Sequence, residues 1–183
     1  MSKLLLILFA LFSVGVPDLG AQPVPVEKIR DQFFDFDKSK EAALVLYTSL
    51  ENLDLTKNPV LLAYRGASSA ASAASVRGAW KKLEYFNHGK RELEKAISQK
   101  PLDAEIRFLR LATQENAPGF LGYSGEKKYD KAIILQTLTG VAANHPNAYL
   151  YLRICRFMLA HVDLETAERN AVNQLIVKFN IKK

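Results

Sequence analysis

Arg107 and Arg110 stand three residues apart in Glu105-Ile-Arg-Phe-Leu-Arg110. On a helix that spacing puts both guanidinium groups on one face. There they can grip a carboxylate or a phosphate bidentately. The plainer role for the same pair is a salt bridge to a neighbouring helix, with Glu84 or Glu115 as the partner. The second concentration of unusual residues is Asn116-Ala-Pro-Gly-Phe-Leu-Gly-Tyr123. Pro118, Gly119 and Gly122 fix turn geometry, yet Phe120, Leu121 and Tyr123 are apolar where a connector is normally polar. These side chains either roof the core or meet a partner. Arg107, Arg110, Pro118, Phe120, Leu121 and Tyr123 therefore make up the candidate binding surface.

Other chemistry finds little support. His88, His145 and His161 form no His-x-x-x-His pair, so a zinc-protease helix is excluded. His161 and Glu165 are four apart, but Asp163 between them is expected to start a new helix. No phosphate loop, dinucleotide fingerprint or Gly-x-Ser-x-Gly elbow occurs. The single Cys155 lies in an apolar helix, where burial suppresses thiol reactivity. One cysteine also excludes a disulfide framework and a cysteine-based zinc cluster. No catalytic residue, metal or cofactor is assigned. The enzyme alternative requires residues that come together only in three dimensions, around Arg107, Arg110, His88 and the Asn116–Tyr123 loop.

The positive charge has no nucleic-acid pattern. The chain carries 25 Lys+Arg against 19 Asp+Glu, a formal charge of +6. The excess is scattered in pairs such as Lys81-Lys82, Lys90-Arg91 and Lys127-Lys128, without the interleaved aromatics of a base-stacking face. Such a surplus favours anionic surfaces and solubility. Apolar residues at 49% and charged residues at 24% are ordinary globular values, which excludes wholesale disorder.

The N-terminus carries an address. Lys3 precedes the uncharged run Leu4–Val16, and Leu19-Gly20-Ala21 follows. The run spans roughly 20 Å as a helix, short of a hydrocarbon core of about 30 Å. A charged start, a short apolar stretch and a small residue at the exit describe a secretory signal peptide over residues 1–21. The protein is expected to be exported, periplasmic or secreted, with no stable membrane span after cleavage. Residues 22–183 form one domain.

That domain reads as helical. Hydrophobic residues recur near every 3.6 positions throughout, and no stretch holds a period of two. Helices are expected over Val26–Phe36, from Asp37 or Ser39 through Leu50, from Asn58-Pro59 to Ala67 and beyond, over Val76–Ser98, from Asp103, over Glu126–Ala143, over Ala148–His161, and from Asp163 onward. The run GASSAASAAS from Gly66 to Ser75 repeats small residues every four positions, which suits a tight crossing of two helices within the chain. The stripe Val76, Ala79, Trp80, Leu83, Phe86, Leu93, Ala96 and Ile97 is expected to face the core, with a bend at Asn87-His88-Gly89. The helix Ala148–His161 is apolar nearly all round and is expected in the middle of the packing, with Arg153 and Arg156 at a rim beside carboxylates.

Two joints carry a resemblance. Leu93-Glu-Lys-Ala-Ile-Ser-Gln-Lys-Pro-Leu-Asp-Ala-Glu-Ile-Arg-Phe-Leu109 resembles the junction between two tetratricopeptide repeats, as do Tyr129-Asp-Lys-Ala-Ile133 and His145-Pro-Asn-Ala-Tyr149. The two Pro-centred joints are about 45 residues apart, against about 34 in that repeat, so at most two degenerate repeats are implied. Leu62–Ala67, Lys82–Phe86, Glu105–Arg110 and Pro118–Tyr123 are also similar to segments of a family of small exported helical proteins from Bacteroidetes-type bacteria, which brings no known activity. The resemblance implies an all-α fold of seven to eight helices, stacked as antiparallel pairs. The functional expectation is a non-enzymatic helical-repeat protein that binds a protein or peptide partner, or acts as a scaffold, in the cell envelope. The alternatives are a carrier of a small ligand or envelope lipid, with a cavity under the Asn116–Tyr123 loop, and an enzyme around Arg107, Arg110 and His88.

Overall fold

Side chains cap the unpaired amides at the starts of three helices, and a proline or a glycine marks two other starts. Val26–Phe34 (α1) follows Pro25 and gives way to a 3-10 turn over Phe36–Lys38. Ala42–Leu50 (α2) starts after Glu41, whose amide donates to the Ser39 hydroxyl. Pro59–Ser72 (α3) opens on the expected Asn58-Pro59: the Asn58 side chain accepts the Leu61 amide at 3.2 Å. Ala79–Gln99 (α4) follows Gly78, whose φ of 87° only glycine adopts without strain. Ala104–Asn116 (α5) is capped by Asp103, which accepts from the amides of Glu105 and Ile106 at 3.0 and 3.2 Å. A second 3-10 turn, Gly119–Leu121, leads to Lys127–Gly140 (α6) and Ala148–His161 (α7). Thr166–Phe179 (α8) begins with a reciprocal capping box between Glu165 and Glu168, so its cap is Glu165 and not the expected Asp163. This computed structural model describes residues 25–39 and 41–180, in which there are eight α-helices and no strand. The expected signal peptide, residues 1–21, lies outside the described residues.

Side-chain pairs fix how the helices run. Arg65 meets Glu92, Gly66 meets Gly89, and Ser69 meets the Tyr85 carbonyl, so α3 and α4 are antiparallel. Thr137 reaches the Leu102 carbonyl while Lys127 reaches Glu115, so α5 and α6 are antiparallel too. α7 packs on α8. α6 and α8 run parallel, because Lys131 bonds Glu168 and Lys178 bonds the carbonyls of Leu138 and Thr139. α3 touches α5, and α5 touches α7. One apolar core joins residues of all these helices, from Ile29 on α1 to Phe179 on α8.

α3 and α4 approach closely where Gly66 meets Gly89. A Cβ at Gly89 would lie 2.3 Å from the Gly66 carbonyl oxygen and 2.6 Å from the Ala70 amide nitrogen. A Cβ at Gly66 would lie 2.9 Å from the Gly89 carbonyl oxygen. The small-residue run thus does what its spacing suggested, and lets two backbones touch inside one chain. α4 is one continuous helix through Asn87-His88-Gly89.

Two expectations about burial fail for a geometric reason. Ala79, Trp80 and Leu83 were expected in the core, but they are exposed, Trp80 at 82%. α4 has 21 residues and α3 has 14. The first turns of α4 outrun their partner, and the buried stripe begins only at Phe86 and continues through Gly89, Leu93, Ala96 and Ile97. Nor is α7 the middle of the packing. α3 and α5 are buried almost throughout, whereas Tyr149 on α7 is exposed. Arg153 does find a carboxylate, Asp31 of α1, while Arg156 is exposed.

Gly89→Ala should destabilise the fold despite alanine's better helix propensity of about 1 kcal/mol. The new methyl meets backbone that has no rotamer to move, and overpacking of this kind costs about 1–3 kcal/mol or more. Gly140→Ala, which has open space around the added carbon, should leave stability unchanged or slightly higher. Urea unfolding of the two variants checks the contrast.

Candidate functional site

Arg107 and Arg110 share a face of α5 as their spacing required, but that face is buried. Both point at Asp130 of α6, which is fully buried. Arg107 Nη1 donates to Asp130 Oδ1 at 2.9 Å, and Arg107 Nε donates to the Pro101 carbonyl at 2.7 Å. Arg110 donates through Nε to Oδ2 at 2.7 Å and through Nη2 to Oδ1 at 2.8 Å, a bidentate fork. Its remaining Nη1 donates to Glu94 of α4 at 2.8 Å. Burial alone would lower the Arg110 pKa, but Asp130 and Glu94 outweigh it and hold the group above its ordinary value. The partners are therefore Asp130 and Glu94, not Glu84 or Glu115. Glu115 instead pairs with Lys127. The arginines hold three helices in register and present no guanidinium edge to a ligand.

The loop after α5 divides into two parts. Tyr123 is buried against Phe86, with ring centroids 5.8 Å apart, and its hydroxyl donates to Glu94 at 2.8 Å. Burial, reinforced by the Glu94 charge, pushes its phenol well above the usual range. Leu121 and Ala117 pack on the same small cluster, which also holds Ala70 and Ala73 at the end of α3. Gly122 turns the chain back at φ 60°. Phe120 is 88% exposed. The apolar loop residues therefore roof the core at Tyr123 and Leu121 but not at Phe120, which the braced turn holds in solvent beside the exposed Pro118.

The other singled-out residues go to separate places. His88 accepts or donates at 3.2 Å with Ser69 and lies edge-on to Tyr47, on the α2 and α3 side of α4. Arg110 meets α4 at Glu94, on a different side of that helix, so the residues of the enzyme alternative are not gathered. Cys155 is buried in α7, and burial pushes its thiol up to about 12. Among the described residues no group of three or more His, Cys, Asp or Glu side chains is placed to hold a metal. Gln114 is buried on α5 with neither amide atom paired among the described residues.

A further polar centre escaped the sequence reading altogether. Glu105, 5% exposed at the start of α5, accepts from Arg30 of α1 through Nε at 2.8 Å and Nη2 at 2.7 Å. The Tyr64 hydroxyl of α3 donates to the same carboxylate at 2.8 Å. Arg30 Nη1 also reaches the Asn147 side chain, just before α7, at 3.3 Å. The hydrogen bonds and charge of Glu105 outweigh burial and hold the Arg30 guanidinium above its ordinary pKa. Around this centre α1 packs on α2 and α3 and reaches α5 and α7 through its side chains. Phe33 meets Tyr64 and Phe108, with centroids 5.6 and 6.0 Å apart. Phe34 stacks on Phe108 at 5.5 Å, and the Arg153 guanidinium sits 4.1 Å from the Phe34 ring centroid. Asp31 pairs with Arg153. Beside α1 a cleft of about 300 Å³ opens between Glu27, Arg30 and Asp31 and the start of α7 at Asn147, Tyr149 and Leu150.

Neither a protein family, nor a curated protein, nor a solved structure matches this chain. What it does has to be argued from its own surfaces.

Asp130→Ala would leave two arginines buried without their anion, and should cost about 3–5 kcal/mol of stability. Phe120→Ala removes a ring that water already surrounds, and should change stability by less than about 1 kcal/mol. Chemical denaturation of the two variants separates the buried centre from the exposed ring.

Proposed function

We propose that the chain is an exported, non-enzymatic helical-array module that binds a protein or peptide partner in the cell envelope. The array is read as tetratricopeptide-like: the pairs α3/α4, α5/α6 and α7/α8 stack so that α3, α5 and α7 form one row. Stacked pairs of this kind build extended surfaces suited to holding other chains. α1 carries the proposal. It is a nine-residue helix packed beside α2 and α3 that reaches α5 and α7 through its side chains, with Ile29 and Phe33 buried, Phe34 stacked on Phe108, Arg30 locked to Glu105 and Asp31 paired with Arg153. Recognition of an amphipathic helix uses the same elements: apolar anchors one turn apart and a polar lock beside them. The row is therefore the recognition face, and α1 is its occupant in cis. Two further observations favour this reading over its alternatives. The buried arginines are paired with Asp130, and Arg110 also with Glu94, and the cleft beside α1 is open to solvent and bordered by the charged Glu27, Arg30, Asp31 and Arg153.

The test loosens α1 without stripping Glu105 of its partners. In the full chain, Asp31→Ala with Phe34→Ala removes the Arg153 contacts and leaves Arg30 and Tyr64 in place. The folded variant, checked by circular dichroism, should capture an envelope protein more strongly than the wild type. A synthetic peptide of residues 25–38 should release it. Equal capture by both proteins, or capture that the peptide does not displace, would contradict the proposal.

A further inference from the structure

The loops 73–78 and 117–126 lie at one end of the array, because Ala73 after α3 and Ala117 after α5 share one apolar cluster with Phe86 and Tyr123. At that end, among the described residues, apolar side chains are exposed that the packing does not use. α4 is seven residues longer than α3, an overhang of about 10 Å at the rise of a helix. Residues 77–84 are exposed without interruption. Trp80 and Leu83 lie on this projection, and Phe120 stands out from the adjoining loop. Between residues 77 and 91 the cations are Arg77, Lys81, Lys82, Lys90 and Arg91, and the only carboxylate is Glu84. Lys90 sits over the Tyr123 ring, 4.9 Å from its centroid, which holds that charge beside the loop.

We infer that this end docks on an anionic phospholipid surface, with Trp80 and Phe120 entering the interface and Arg77, Lys81 and Lys82 meeting the headgroups. The shape favours a bilayer over a protein pocket. The projection outruns its neighbour α3, and a hollow of about 220 Å³ on it is lined by Trp80, Leu83, Glu84, Asn87 and Arg91 of α4 alone. A hollow with one helix for its wall cannot enclose a partner's side chain, so the projection must itself be the part that inserts. A bilayer accepts aromatic groups at headgroup level without any matching cavity. The local charge is complementary to an anionic leaflet, where each cation near the surface strengthens binding. The docking is peripheral, since among the described residues no helix is long and apolar enough to cross a membrane. It uses the opposite ends of α3 and α5 from the α1 seat, and does not rest on the peptide-binding proposal.

The experiment uses a native reporter, because Trp80 is the only tryptophan of the chain. The protein is titrated with vesicles of equal parts phosphatidylglycerol and phosphatidylcholine, and in parallel with vesicles of phosphatidylcholine alone. Trp80 emission should shift to the blue on the anionic vesicles only, and the shift should vanish in high salt. Lys81→Glu with Lys82→Glu, both exposed and with circular dichroism as the check on an intact fold, should weaken binding at least about tenfold. Phe120→Ala should weaken it as well, measured by co-sedimentation. No shift on anionic vesicles, or an equal shift on neutral ones, would overturn the inference. So would a shift produced by an envelope protein fraction cleared of lipid while vesicles have no effect, which would identify the projection as a protein contact.

Discussion

A carboxylate at 5% exposure is tolerable only if its charge is fully answered, and Glu105 sits at the point where that requirement organises the molecule. Arg30 supplies a two-pronged fork from α1, and Tyr64 supplies a hydroxyl from α3. Asn147 extends the chain of contacts to the start of α7. Apolar packing is nondirectional and would allow these four elements to slide. The hydrogen bonds are directional, so they fix one register. Asp130 repeats the device on the other flank of α5, where it ties α6 to the arginines and, through Arg110 and Glu94, to α4 and Tyr123. Arg65 does it a third time, joining Glu92 to the open carbonyls at the end of α2. Each centre stabilises the fold chiefly in the sense that breaking it is costly.

The local signals in the chain translate well into structure. Asn58-Pro59 starts a helix because Asn58 accepts an orphan amide and Pro59 has none to offer. Asp103 after Pro101 starts another. The Gly66 and Ala70 spacing marks a close helix crossing, and Gly89 on the facing helix shows why the residues are small. Cys155 in an apolar helix is buried. All of these depend on a few neighbouring residues.

What could not be read depends on partners far along the chain. Trp80 has the spacing of a core residue, but burial needs a facing helix, and α3 stops too soon. Asp130 lies in the polar run Glu126-Lys-Lys-Tyr-Asp-Lys131, where nothing local distinguishes a buried anion from a solvated one. Arg107 and Arg110 were legible as a pair with a common face. Whether that face met solvent or Asp130 was decided by the placement of α6. Tyr123 and Phe120 have the same composition signal, and only the turn at Gly122 sends one inward and leaves the other outside. The seat of α1 joins residues about a hundred positions apart, beyond any periodicity argument.

Function follows the same division between satisfied and unsatisfied groups. The buried charges are answered and hold the array rigid. In the proposed reading α3, α5 and α7 form a row that carries α1, and the far end exposes Trp80 and Phe120 beside the cations of α4. The claim on which the account turns is that α1 is an occupant of the row rather than an equal part of the core. Native-state hydrogen exchange measures this directly, helix by helix. The account predicts that α1 amides exchange through a local opening at least about 2 kcal/mol below that of α3 and α5, as separable segments do. If α1 amides are released only with those of α3 and α5, in one global unfolding, α1 is integral to the core and the account is wrong.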